Sequence, residues 1–267
     1  MLLDIADLTL GTRDTTLVQG LSFSIAPGER FGLIGESGSG KSLTALAATG
    51  LLPPAIRATG TITLGGEPVL GASERRLSRL RGAAVATVFQ EPLTALDPLM
   101  PLGRQIALPV RRRLAREGGD TSRPAVAREV RALVEQVRLP DPDRLIRAFP
   151  HEVSGGQRQR VAIAMALACK PRLLIADEPT TALDVTTQAE IVALLTGLVR
   201  DEGIALLFIS HDLAVVGQVA ERVLVMRAGR AVETGPAARV LTAPEEGYTR
   251  SLVAAARRFD TALEGGA

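Results

Sequence analysis

The sequence predicts an α/β fold in which helices cover both faces of a parallel sheet, and three observations predict it. A Gly-rich turn, Gly35-Glu36-Ser37-Gly38-Ser39-Gly40-Lys41-Ser42, sits between the strand-like run Phe31 to Ile34 and the helix-like run Leu43 to Thr49. Two continuous apolar runs, Leu173-Leu174-Ile175-Ala176 and Ile204 to Ile209, read as buried parallel strands separated by an amphipathic helix at Val185 to Arg200. Between these α/β stretches, from Glu91 to Glu152, the pattern changes to helical spacing. A chain of 267 residues, 46% of them hydrophobic, can bury a substantial core, so disorder is not expected.

Near the start, Leu21, Phe23 and Ile25 alternate with Ser22 and Ser24, the period of a half-buried strand, and Pro27-Gly28 turns the chain into the next one. The opening section therefore reads as β-rich. A short strand pair, Thr61 to Leu64 and Pro68 to Leu70, surrounds Gly65-Gly66, and Val85 to Phe89 reads as a buried strand. After Pro124, a helix-starting residue, Val126, Val130, Leu133, Val134 and Val137 form one apolar stripe. The expected organisation is one domain, 1–267, with an α/β core at 1–90 and 154–267 and an inserted helical lobe at 91–153. No internal repeat is evident, which excludes a tandem two-copy array in this chain.

Charge and cysteine usage narrow the function classes. Thirty-one basic against 29 acidic residues give a net charge of only +2, and Lys41 and Lys170 are the lysines among otherwise arginine cations. That balance argues against a nucleic-acid partner bound by net charge. Cys169 stands alone, so this chain builds neither a disulfide framework nor a cysteine metal site, and a cytosolic compartment is expected. His151 and His211 lie far apart, which disfavours a structural zinc site. No leader-like signal and no apolar run long enough to span a bilayer occurs, so work at a membrane would require another chain to cross it. Arg111-Arg112-Arg113, with Arg116, reads as a solvated helix face.

The Gly-rich turn carries a chemical reading. Glycines let successive N–H groups and a helix N-terminus converge on one anion, Lys41 reaches the outer phosphates and the Ser42 hydroxyl ligates magnesium. Gly-x-x-x-x-Gly-Lys-Ser/Thr arises by accident in about one chain in a hundred of this length at average composition, so a phosphate cradle outweighs a plain turn. Asp177 and Glu178 close the strand Leu173 to Ala176. Asp177 is placed to hold a magnesium shell and Glu178 to polarise a water attacking a γ-phosphate; a solvent-facing acidic pair is the alternative. Val153-Ser154-Gly155-Gly156-Gln157 leads into the helix-like run Arg158 to Ala168, with Ser154 as N-cap and the glycines as a second anion-facing turn. Taken alone, an ordinary capped helix explains that stretch better.

In this order the motifs resemble the ATP-binding cassette (ABC) family, over essentially the whole chain. Gly35, Glu36, Ser37, Gly38, Ser39, Gly40, Lys41 and Ser42 correspond to the Walker A loop, and Gln90 in Phe89-Gln90-Glu91-Pro92 to the Q-loop glutamine. Ser154, Gly155, Gly156 and Gln157 correspond to the signature, and Asp177 and Glu178 to Walker B and the catalytic glutamate. Ala182-Leu183-Asp184 corresponds to the D-loop, and His211 in Ser210-His211-Asp212 to the switch histidine. The resemblance implies a P-loop NTPase (RecA-like) core with an N-terminal antiparallel β section and an inserted helical subdomain. It implies an ATP hydrolase using ATP and Mg²⁺, with Glu178, His211 and Gln90 catalytic and Ser42, Gln90 and Asp177 attending the metal. It also implies head-to-tail pairing with a second ABC ATPase subunit, ATP lying between one Walker A loop and the other subunit's signature and D-loop, Asp184 included.

Two transmembrane permease subunits and, indirectly, a solute-binding protein are the further implied partners, at the cytoplasmic face of the bacterial inner membrane. Phe89 to Pro98 and Gly247-Tyr248-Thr249-Arg250-Ser251-Leu252 resemble the subfamily that energises bacterial uptake of dipeptides, oligopeptides and nickel. Peptide and nickel stay open, with an exporter ATPase or a non-transport cassette ATPase as alternatives. The cysteine-bearing tail of longer members has no counterpart here, so no iron–sulfur cluster is expected. The family's usual adenine-stacking aromatic is missing from Leu8 to Thr16, and Leu10 is expected to serve as an apolar platform instead. Val153 stands where leucine is commoner.

Overall fold

The computed structural model describes residues 1–90, 95–181 and 183–264. They fall into two compact units, one formed by 1–77 with the chain from 205 onward and the other by 78–204. The chain opens with β1 (Leu3–Gly11), β2 (Thr16–Ile25), β3 (Arg30–Gly35), α1 (Lys41–Thr49), β4 (Arg57–Leu64), β5 (Glu67–Pro68) and α2 (Glu74–Leu80). Next come β6 (Val85–Val88), α3 (Leu102–Arg116), α4 (Arg123–Gln136), α5 (Pro142–Leu145), α6 (Gly155–Leu167), β7 (Leu173–Asp177) and α7 (Val185–Glu202). β8 (Ala205–Ser210), α8 (Leu213–Val219), β9 (Arg222–Arg227), β10 (Arg230–Pro236), α9 (Ala237–Thr242) and α10 (Gly247–Glu264) complete it.

The first unit holds an antiparallel sheet in the order β2-β1-β4-β5, the expected β-rich opening. β1 escaped explicit recognition for a physical reason. Its buried residues Leu3, Ile5, Leu8 and Leu10 break strict alternation, because the pairing shifts between Ile5 and Leu8 and Asp7 takes φ 51°. Such a bulge adds a residue and resets which face each side chain meets. Beside this sheet lie β10-β9-β3-β8, with β3 parallel to both β8 and β9, and β10 antiparallel to β9.

Both faces of β3 are covered. On one, Gly32 leaves the space that Val216 of α8 and the neighbouring Ala220 fill. On the other, Phe31 stacks on Phe23 of β2, ring centroids 5.1 Å apart. α1 packs on β3 and β4. Continuous apolar runs such as Leu206 to Ile209 are what a strand buried on both faces demands.

In the second unit β6 and β7 pair in parallel, Val88 opposite Ala176. α6 is its central helix, burying Val161, Ala162, Ile163, Ala164, Ala166 and Leu167 and meeting α3, α4, α7 and β6. Pro124 stands in the first turn of α4, and the expected stripe Val126, Val130, Leu133, Val134 and Val137 is buried. One expectation fails here. Arg111 and Arg112 are solvated, but Arg113 is 4% exposed. Its Nε donates to the Ala168 carbonyl at 2.9 Å, Nη1 to Glu117 at 2.9 Å and Nη2 to Glu129 at 2.6 Å. A fork of fixed donors satisfied on each side lets a cation sit where three helices meet. Among the described residues no helix is long and apolar enough to cross a membrane.

Candidate functional site

The turn between β3 and α1 is shaped by what glycine lacks. A side chain on Gly35 would strike the Met226 carbonyl of β9, and Gly40, the N-cap of α1, has φ 99° with Val18 pressed against it. Both positions exclude other residues. No side chain caps α1 and its first turn carries no acid, so the helix supplies no carboxylate of its own to the positive end of its dipole. Lys41 is 4% exposed, and its Nζ donates to the carbonyls of Gly35 at 2.7 Å and Glu36 at 2.9 Å. The ammonium is thereby stowed within its own loop. The Ser39 hydroxyl is buried there without a hydrogen-bond partner. An unsatisfied buried hydroxyl costs about 1–3 kcal/mol, and an anion entering the loop would relieve it.

His211 belongs to the same unit and the same sheet edge. β8 runs parallel to β3 with Ser210 opposite Ile34, so His211 leaves the sheet beside Gly35. Its neighbours are fixed: Ser210 Oγ accepts the Asp212 N–H at 3.0 Å, and Asp212 caps α8 by accepting from Ala214 and Val215 at 2.9 and 3.2 Å. The imidazole itself is exposed.

The second unit gathers the other candidates at the ends of β6 and β7. Asp177 is 8% exposed, and Glu178 follows with φ 46°, a left-handed conformation that costs a non-glycine residue roughly 1–2 kcal/mol. Such strain persists where the surroundings over-determine it. Thr181 Oγ1 donates to Glu178 Oε2 at 3.0 Å, and Gln90 Nε2 lies 3.5 Å from the same oxygen. Thr181 went unmarked in the sequence; its only signal is a hydroxyl three residues after the acid, the reach of a tight turn. Glu91 to Thr94 and Ala182, parts of the Q-loop and D-loop motifs, lie outside the described residues.

Ser154 is the N-cap of α6, as its sequence context implied. Its Oγ accepts the Gln157 N–H at 3.3 Å while Gln157 Oε1 accepts the Ser154 N–H at 3.0 Å, a reciprocal box that occupies the Gln157 side chain. Ser154 and Gly155 are exposed, whereas a side chain on Gly156 would collide with Thr187. Asp184 caps α7 through that same threonine, its two oxygens accepting the Thr187 N–H at 3.0 Å and hydroxyl at 2.7 Å. These bonds, the Thr187 amide foremost, hold the Asp184 carboxyl below the usual range. The start of α6 and the cap of α7 thus share one contact, Thr187. Leu10 contradicts its expected role: it is fully buried in β1, opposite Val18 and Ala58, and offers no platform to a ligand.

Residues 18–181, from β2 to the turn after β7, match the family described as ABC transporter. The chain belongs to that family. It is 44% identical over 98% of its length to the oligopeptide transport ATP-binding protein OppD of Salmonella typhimurium, spanning 78% of that protein. It is 45% identical over 95% of its length to the peptidoglycan transport ATP-binding protein YejF of Agrobacterium fabrum, of which it spans about half, 47%. Among solved structures it is similar to a dimeric ATP-binding cassette in a post-hydrolysis state with ADP and Pi. The TM-score there is 0.77 at 26% identity, over 88% of this chain and 98% of that one. It is equally similar to cbiO1 from Clostridium perfringens, part of the ABC transporter complex cbiONQ, at TM-score 0.77 and 26% identity over 98% of each chain.

The ABC cassette therefore has the P-loop NTPase fold and is an ATP hydrolase. Its loop fits a polyphosphate on three counts already described: the uncapped helix end, the stowed lysine and the unsatisfied Ser39 hydroxyl. No cluster of three or more His, Cys, Asp or Glu side chains able to hold a metal occurs among the described residues.

Proposed function

We propose that this cassette is the ATPase subunit of a bacterial importer and energises uptake of peptides through separate permease subunits at the cytoplasmic face of the inner membrane. The observation that carries this reading is similarity along 98% of the chain to a protein named for oligopeptide transport. Relatives named for glutathione import, one 45% identical over 90% of the chain, favour peptide over nickel as cargo.

Each candidate residue then has a task. The loop amides of residues 35–42 and Lys41 hold the β- and γ-phosphates. Ser42, Gln90 and Asp177 would hold magnesium, which when bound neutralises charge on the phosphate oxygens. Glu178 accepts the proton of a water whose oxygen attacks the γ-phosphorus, the bond to the ADP oxygen breaks, and phosphate and ADP result. His211 contacts the γ-phosphate. Ser154 and Gly156 present the exposed start of α6 to the nucleotide of a second cassette, with the Asp184 turn beside it. Loss of the bridging γ-phosphate releases the pair.

The helical subdomain, 91–153, is the proposed permease dock. Between α3 and α4 runs a groove of about 740 Å³, lined by apolar Ala107, Val126 and Val130 and by Arg104, Arg111 and Arg147. Leu99 and Leu108, 86% and 51% exposed, stand on the same segment. An apolar groove ringed by cations suits a short permease helix with an acidic side or an outward C-terminus.

The test is co-purification with two hydrophobic permease chains and the cognate solute-binding protein, followed by ATPase measurement in vesicles. Stimulation by peptide-loaded binding protein is the expected result. Stimulation by nickel alone would overturn the cargo, and failure to associate with any permease would overturn the transport role.

A further inference from the structure

Leu96-Asp97-Pro98 closes the motif that begins at Phe89, and the roles assigned above give it no task. Leucines at three-residue spacing divide sharply there. Leu96 and Leu102 are buried, whereas Leu99 between them is 86% exposed. A lone exposed leucine is ordinary; one held out by its own set of hydrogen bonds is not.

Those bonds come from one buried amide. Gln105, near the start of α3, is 3% exposed, and all its side-chain polar groups serve the loop at 97–100. Its Oε1 accepts the Asp97 N–H at 2.9 Å, and its Nε2 donates to the carbonyls of Asp97 at 2.9 Å and Met100 at 2.7 Å. Within the loop, Asp97 Oδ1 accepts the Leu99 N–H at 2.9 Å, and the Met100 N–H donates to the Asp97 carbonyl at 3.2 Å. The backbone on both sides of Leu99 is thereby fixed before any partner arrives.

The first turn of α3 is pinned as well. The N–H groups of Leu102 and Gly103, which a helix start leaves without intrahelical partners, donate to the carbonyls of Ala148 at 2.9 Å and Ile146 at 3.0 Å. A side chain on Gly103 would strike Ile146. Loop and groove are therefore one piece, with Met100 and Pro101 lining the groove beside Arg104, Arg111, Arg123 and Arg147. None of these four arginines makes an ion pair among the described residues. Unpaired guanidinium groups around an apolar floor call for carboxylates on the occupant, and the exposed leucine beside them for an apolar socket.

We propose that Gln105 is a positioning residue for permease docking: by fixing the 97–100 loop it holds Leu99 out as a pre-ordered anchor, which enters an apolar socket on a short permease helix whose carboxylates face Arg104 and Arg111. These two arginines stand seven residues apart on α3, two turns along one face. The anchor rests on the reading of the helical subdomain as the permease dock. Because the loop is ordered on folding and not on binding, loosening it appears as lost affinity.

The test uses the full chain and its two permease chains in lipid vesicles, and reads the Kd of the cassette for those vesicles. Leu99→Ala should raise Kd about tenfold or more, the loss expected of a central anchor. Gln105→Leu, which refills the core but drops all three bonds, should raise it about threefold or more. Asp97→Ala leaves the core intact and should act in the same direction, while Asp97→Asn keeps an oxygen for the Leu99 N–H and should bind like wild type. In the Leu99→Ala background, Gln105→Leu should have no further effect, since it acts through Leu99. An unchanged Kd in Leu99→Ala, equal losses from Gln105→Leu with and without Leu99, or a loss in Asp97→Asn equal to that in Asp97→Ala would overturn the anchor. The same losses on permease-free vesicles of anionic lipid would also overturn it and make the face a membrane contact. Failure of the wild type to bind permease vesicles would remove the dock assignment and the anchor with it; binding by the wild type with Leu99→Ala unaffected removes the anchor alone.

Discussion

Glu178→Gln is the sharpest probe of the assigned chemistry, because the structure allows the proton acceptor to be removed with little else. Glutamine matches glutamate in length, and its carbonyl oxygen can accept from Thr181 Oγ1 as Glu178 Oε2 does at 3.0 Å. The left-handed backbone at φ 46° need not move, so loop geometry and ATP binding should survive. Loss of a positioned general base costs about a hundredfold to ten-thousandfold in rate, or roughly 3–5 kcal/mol on the barrier. Steady-state phosphate release should fall by at least the lower figure while equilibrium ATP binding stays within about threefold of wild type. Thr181→Val supplies the graded control. It keeps the carboxylate but removes one hydrogen bond to a charged group, worth about 1.5–3 kcal/mol, so a smaller fall of about tenfold or more is expected. Turnover of Glu178→Gln within tenfold of wild type would refute the general-base role, and equal losses in both variants would assign the effect to loop geometry instead.

Lys41→Ala removes both the outer-phosphate cation and the two bonds to Gly35 and Glu36 that close the loop; ATP affinity measured by titration should weaken by about tenfold or more. With Leu10 buried and residues 12–15 lacking an aromatic, nothing in that region stacks strongly on a base. ATP should be preferred over GTP by no more than about 1 kcal/mol, the low end of base-stacking values, and a competition titration showing strong ATP selectivity would contradict this. Asp184 has its carboxyl pKa lowered in the fold by Thr187, so its contribution to stability is present above the ordinary aspartate range and is lost as pH falls through the lowered value. The urea midpoints of wild type and Asp184→Ala should therefore differ near neutral pH and converge in strong acid. A constant difference across that range would remove the charge from the explanation.

What the sequence displayed and what it hid divide along a physical line. Local requirements were legible. Gly35 and Gly40 are glycines because backbone and side chain press against them, Ser154 is a serine because a helix begins there, and β7 and β8 are continuously apolar because both their faces are covered. Each leaves its mark in a short stretch of sequence, even where, as at Gly35 against Met226, the group that presses on it lies far along the chain. The failures involve partners or register that spacing does not carry. Leu10 looked available because a bulge near Asp7 reset the alternation and turned it inward. Arg113 looked solvated like Arg111 and Arg112, yet its partners Glu129 and Ala168 lie 16 and 55 residues away.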